Sequence, residues 1–161
     1  MGVGKTSVGR LLADELGYSF YDSDREIERL CGADIPWIFD VEGEDGFRQR
    51  ESRVLYELSL KNKAVIATGG GIVLRPQNRE VLEKHFVVYL TADLDLLVGR
   101  TSKDRKRPLL QVADPREALK KTILIRDPFY REVATIVVST DHQNPRQTAR
   151  EIASAYNKHQ G

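Results

Sequence analysis

The stretch Gly2-Val-Gly-Lys-Thr-Ser7, continuing as VGRLLADELG to Gly17, decides how the rest of the chain is read. It matches the back half of G-x-x-x-x-G-K-[ST]. In that motif backbone N–H groups cradle nucleotide phosphates, the lysine reaches the outer phosphates and the hydroxyl meets Mg²⁺. Gly2 and Gly4 permit close backbone approach, Lys5 supplies the charge and Thr6 the hydroxyl. The residues that follow place Val8, Leu11, Leu12 and Leu16 on one helical face, with Gly17 as a stop. An apolar strand normally precedes such a loop, and here the loop opens the sequence.

Working outward, helical and strand periods alternate. YSFYDSD reads as a short strand ending in acids, and Arg25 to about Lys61 as mostly helical, broken near CGAD and EGEDG. AVIATGGG is an apolar strand entering a glycine loop. PQNREVLEKH is a helix with Pro76 in its first turn, FVVYLTA a buried strand and DLDLLVGRT a helix. SKDRKRPLLQVADP reads as a charged, proline-broken loop. REALKKTILIRDPFYREVA is helical with an interruption expected at Pro128, TIVVST is a strand, and NPRQTAREIASAYNKH closes the chain as a helix. Continuous apolar strands between helices point to a parallel sheet covered on both faces. The expectation is one α/β domain over 1–161, with a lid over about 102–116.

Composition narrows the function classes. The balance of 25 Lys+Arg against 24 Asp+Glu provides no field for non-specific nucleic-acid binding. No apolar run reaches the length of a membrane span and no signal-peptide segment is evident, so a cytoplasmic protein is expected. The single cysteine, Cys31, excludes an internal disulfide and reads as a small core residue. His85, His142 and His159 lack metal-ligand spacing, and no nucleophile–His–acid arrangement is evident. Trp37 and Phe39 read as core.

Three further features carry chemistry. Asp22 and Asp24 emerge at a strand's carboxyl end, where ligands bind in open α/β sheets. There Asp24 could accept a hydroxyl proton and Asp22 support a metal's water shell, or Ser23 or Asp24 could simply cap the next helix. Gly69, Gly70 and Gly71 follow another strand, either to let backbone approach a ligand or as a mobile turn. Arg48, Arg100, Arg107 and Arg126 recur in mixed sequence, and taken singly they suit a solvated face. Arg107, within the basic loop RKRP, also suits a lid that closes a cation onto a transferring phosphate.

Taken in order, GVGKTSVGRLLA, FYDSDREIE, GADIPWIFDVEGEDGFRQRE, ATGGGIV, RKRPLL and RDPFYRE resemble the shikimate kinase family along essentially the whole chain. The resemblance implies a three-layer P-loop kinase fold with a parallel sheet, strand order 2-3-1-4-5. It implies transfer of the ATP γ-phosphoryl group to the 3-hydroxyl of shikimate, with Mg²⁺, by a cytoplasmic monomer with no nucleic-acid or membrane partner. Carried over by motif, Lys5, Asp24 and Arg107 are catalytic, and Thr6 and Asp22 hold the metal. Gly2, Val3, Gly4, Lys5, Thr6 and Ser7 hold the phosphates. Arg100 and Pro145 flank adenine, with Gln143 on the same side, and Arg107 swings in with the lid towards the transferring phosphate as a further nucleotide-binding residue. Arg48 and Arg126 clamp the shikimate carboxylate, because the guanidinium fork pairs bidentately with a planar anion. Gly69, Gly70 and Gly71 line the pocket, and Phe39 and Phe47 form its apolar wall.

The family pattern departs at two places. Gln143 stands where some members carry a basic residue, and strand 1 with the first P-loop glycine is missing. Its two neighbouring strands are therefore expected to face a gap, and Met1 is expected to be an internal methionine of a longer natural protein. The alternatives weighed are a related enzyme, such as a gluconate or nucleoside monophosphate kinase, and a non-catalytic P-loop relic. The Arg48, glycine-triplet and Arg126 set favours a small carboxylate acceptor.

Overall fold

The computed structural model describes residues 4–101, 114–141 and 143–161, apart from the side chains of Arg100 and Thr101. Gly2, Val3, His142, Arg107 and most of the expected lid (102–113) lie outside them.

Helix α1 (Lys5–Leu16) starts behind Gly4, whose φ of 79° is a left-handed value that a side chain would resist. It ends at Gly17, whose N–H bonds back to the Ala13 and Asp14 carbonyls. Strand β1 (Ser19–Asp22) leads directly into α2 (Ser23–Cys31). Asp34 then caps α3 (Ile35–Ser59), accepting from the Trp37 N–H. The break expected near EGEDG falls at Gly43, where the backbone of α3 leaves helical values at φ 74° and ψ 179°.

Strand β2 (Ala64–Ala67) pairs in parallel with β1, from Ser19 opposite Ala64 to Asp22 opposite Ala67. A 3₁₀ turn (Gly70–Leu74) and α4 (Pro76–Leu82) follow. Strand β3 (Val88–Thr91) precedes α5 (Leu94–Thr101). Helix α6 (Pro115–Val133), strand β4 (Ile136–Ser139) and α7 (Pro145–Gln160) complete the order. β4 pairs in parallel with β3, Val88 opposite Ile136 and Thr91 opposite Ser139. A reciprocal capping box of Asn144 and Gln147 fixes the start of α7.

The strands form two two-stranded parallel sheets, β1-β2 and β3-β4. A cavity of about 840 Å³ is lined along one side by all of β2 and along the other by all of β3. Among the described residues no strand crosses it, as the expected gap requires. Val8 and Leu12 of α1 pack with Val138 of β4 and with Ala149, Ile152 and Ala153 of α7, and Val65, Val88 and Leu90 border this cluster. A second cluster of Ile27, Ile38, Phe47, Val54 and Leu58 holds α2 and α3 together, with Tyr21 and Ile66 of the first sheet against it.

Several expectations need correction. α6 runs through Pro128 without interruption. The carbonyl that Pro128 cannot serve belongs to Leu124, which lies on an exposed face where water can bond it. After Gly69 the glycine triplet enters a 3₁₀ turn with Gly71, Ile72 and Val73 buried, where the sequence suggested only a loop. The last residues of the expected lid, Asp114 to Arg116, instead open α6, where Asp114 accepts from the Glu117 N–H. Trp37 is exposed rather than core, because its turn of α3 directs Ile38 inward.

Candidate functional site

Because β1 and β2 are parallel, both carboxyl ends open on one side of the sheet, and the chemistry gathers there. Asp22, the last residue of β1, proves to be the cap of α2. Its Oδ1 accepts from the backbone N–H of Asp24 at 3.0 Å and of Arg25 at 3.4 Å. The capping alternative considered for Ser23 or Asp24 thus passes to Asp22, and Ser23 is fully buried. The other Asp22 oxygen, Oδ2, accepts from the Thr6 hydroxyl at 3.2 Å, so the acid also ties β1 to the first turn of α1. Thr6 and Asp22, predicted as a metal pair, are thus neighbours. Two hard oxygen donors suit Mg²⁺, which keeps several waters and takes the rest of its shell from substrate phosphates. Among the described residues no cluster of three or more His, Cys, Asp or Glu side chains offers an all-protein metal cage. Lys5 lines the cavity, as do Thr68 and Gly69.

Asp24 stands in the first turn of α2, facing Gly69. A methyl at Gly69 would sit 3.0 Å from Asp24 Oδ1 and 3.3 Å from Glu51 Oε2. Two carboxylates therefore share the glycine wall. Glu51 is 1% exposed and its Oε2 has no hydrogen-bond partner, while Oε1 accepts from Arg48 Nη1 at 2.9 Å. Burial pushes the Glu51 carboxyl up, against the pull of Arg48, and the Asp24 charge adds to the rise.

Arg48 is buried on α3 with Nη2 reaching Glu44 Oε1 at 3.4 Å and Nε unpartnered. Its guanidinium lies directly against Gly71, where any side chain would collide with it. Glycine at this position lets the Arg48 guanidinium stay where it is. Gly71→Ala should drive the guanidinium off its position, at about 1–3 kcal/mol for overpacking, and raise the acceptor KM while sparing the KM for ATP. Steady-state kinetics with each substrate varied checks this, and equal shifts in both KM values would contradict it.

Arg126 is also buried, on α6, where its charge acts on the Glu51 carboxyl and on the Tyr130 phenol. The two arginines, 78 residues apart in sequence (126 − 48), thus converge on one buried region through Glu51. Phe39 and Phe47 pack ring to ring at 4.8 Å, with Phe47 buried and under the Arg48 guanidinium. Ser7 is exposed in the first turn of α1. On the far side of the chain order, Gln143 uses its Oε1 to accept from the Thr148 hydroxyl at 3.1 Å, and Pro145 takes the first turn of α7. The predicted adenine-flanking pair is thus built into the start of α7.

Two residues of this region were not singled out from the sequence. Glu51 lies three positions after Arg48, a spacing that puts both on one helical face, and that was the available signal. Tyr130 lies four after Arg126 on the same argument. Nothing local marks Glu51 as buried or Tyr130 as half-buried.

The sequence pattern of the shikimate kinase family matches residues 1–157. The chain is 54% identical over 153 residues to a shikimate kinase of Hahella chejuensis, covering 94% of this chain and 80% of that protein. To a shikimate kinase of Pseudomonas aeruginosa it is 53% identical over 159 residues, covering 98% and 92%. Among solved structures it is similar to the shikimate kinase from Acinetobacter baumannii in complex with shikimate, with TM-score 0.96 and 49% identity over 99% of this chain and 89% of that one. The shikimate kinase from Aquifex aeolicus superposes with TM-score 0.85 at 31% identity, over 99% and 93%. The α/β arrangement with parallel strands is that of the P-loop kinases.

Proposed function

The chain belongs to the shikimate kinase family and is an ATP-dependent kinase of shikimate; we propose that it transfers the γ-phosphoryl group to the 3-hydroxyl, using the residues gathered at the ends of β1 and β2. The observation that carries the assignment of roles is the placement of Asp24 against Gly69 and of buried Arg48 against Gly71, with buried Arg126 acting by its charge on Glu51 between them in the chain. A small acceptor bearing a carboxylate and a reactive hydroxyl matches that set, one end held by guanidinium and the other by carboxylate.

In this mechanism Arg48 and Arg126 bind the shikimate carboxylate, Gly69, Gly70 and Gly71 let the ring lie close to the backbone, and Phe39 and Phe47 cover its apolar side. Asp24 takes the proton from the hydroxyl as its oxygen attacks the γ-phosphorus. Lys5 neutralises charge on the phosphates, which the backbone from Gly2 to Ser7 cradles. Thr6 and Asp22 would hold Mg²⁺, which supplies charge neutralisation on the phosphate oxygens when bound. Arg107, from a lid that includes residues 102–113, closes onto the transferring group. Arg100, Gln143 and Pro145 flank adenine. Phosphoryl transfer asks mainly for positioning and charge stabilisation, which is what these residues offer.

The same proposal takes residues 1–161 as one domain acting as a cytoplasmic monomer with no nucleic-acid or membrane partner. Among the described residues no helix is long and apolar enough to cross a membrane. Sedimentation velocity checks the monomer. A coupled ADP-release assay with shikimate, gluconate and nucleoside monophosphates tests the function. Release that depends on shikimate alone is expected, and release driven by another acceptor, or only background ATP hydrolysis, would overturn it.

A further inference from the structure

Tyr130 has no assigned part in binding or chemistry, yet three elements of the acceptor site meet at its ring. It follows Arg126 by one turn of α6, so both side chains leave the same helical face. Its hydroxyl donates to the Gly70 carbonyl at 2.6 Å, across 60 residues of sequence. Its ring packs on Tyr89 of β3 with centroids 4.8 Å apart. Tyr89 in turn donates to Asp127 Oδ1 at 2.8 Å, and Asp127 Oδ2 accepts from Arg131 Nε at 2.9 Å, so the ring's support is itself held from two sides.

We propose that Tyr130 is a positioning residue of the acceptor site: by donating to the Gly70 carbonyl, its hydroxyl sets the distance between the glycine wall and Arg126. The inference rests on the shikimate kinase reading above. Burial pushes the Tyr130 phenol up while the Arg126 charge pulls it back. The hydroxyl thus holds the peptide that walls the ring to the helix that carries Arg126, one turn away. That bond involves neither the reacting hydroxyl nor the nucleotide phosphates. Tyr130 therefore acts on acceptor affinity and not on the chemical step.

Tyr130→Phe removes the oxygen and keeps the ring. Losing a hydrogen bond of ordinary net strength corresponds to roughly a 3–10-fold change in an equilibrium constant. The expected result is a rise of that size in the KM for shikimate and in its calorimetric Kd. The kcat should stay within about twofold and the KM for ATP should not move, a split that a general loosening would not produce. Tyr89→Phe, which cuts the bond to Asp127 but leaves Tyr130 Oη in place, should keep the wild-type shikimate KM. Tyr130→4-aminophenylalanine, which restores a donor of similar reach, should recover most of the lost affinity. An unchanged shikimate KM in Tyr130→Phe would overturn the inference. So would parallel shifts in both KM values, a Tyr89→Phe phenotype equal to it, or failure of Tyr130→Phe to fold, since the hydroxyl would then be a folding group. If the wild-type protein phosphorylates a different acceptor, the functional reading fails; a wild-type-like Tyr130→Phe on an enzyme that does phosphorylate shikimate overturns only this inference.

Discussion

Asp24→Asn is expected to lower kcat for shikimate phosphorylation by roughly 10²–10⁴-fold, the usual contribution of a positioned general base, while the Kd for ATP changes little. The asparagine keeps the size and one acceptor oxygen of the carboxylate, so it still fits the space that Gly69 leaves open. What it loses is the capacity to take a proton and the negative charge beside Glu51. The lost charge has its own signature. Asp24 contributes to holding the Glu51 carboxyl above its ordinary range, so its removal should let Glu51 ionise at a lower pH. Single-turnover kinetics separates the chemical step from binding. A parallel loss of ATP affinity would assign Asp24 to the phosphate side and remove it as the base.

Arg126→Ala should raise the KM for shikimate by roughly 30-fold or more, since truncating one partner of a buried charge pair costs about 2–5 kcal/mol. The arginine is 6% exposed, so bulk water cannot easily take its place at an acceptor carboxylate. Its removal also leaves Glu51 with Arg48 as its remaining named cationic neighbour. Arg126→Lys should recover only part of the loss, because an ammonium retains the charge without the planar fork. Initial rates with shikimate varied at saturating ATP test this. A KM equal to that of the wild type would place the carboxylate elsewhere.

Much of the arrangement was legible in the sequence, for identifiable physical reasons. The end of α1 at Gly17, the break at Gly43 and the strand β2 running into Gly69 depend on local backbone chemistry, and each lies where composition put it. Pro128 was misjudged because a proline's cost depends on whether water can reach the carbonyl it abandons, which is a tertiary property. Trp37 was misjudged because one helical turn offers several apolar residues, and packing alone selects Ile38. At the site, Asp22, Asp24 and the glycines stood out because strand ends and glycine runs are local signals. Glu51 and Tyr130 did not, since an acid beside arginines and a tyrosine in a helix look like ordinary surface residues until tertiary structure buries the first and half-buries the second.

Helix α1 touches both pairs of described strands, β1-β2 and β3-β4. It acts as a keel: Thr6 at its first turn is tied to β1 through Asp22, and Val8 and Leu12 pack with Val138 of β4. Gly4 to Ser7, the described part of the proposed phosphate-binding loop, sit at the leading end of that same keel. Nucleotide occupancy thus loads a strut as well as a binding loop, and the stiffness with which Asp24 is presented to its substrate depends on what α1 is holding.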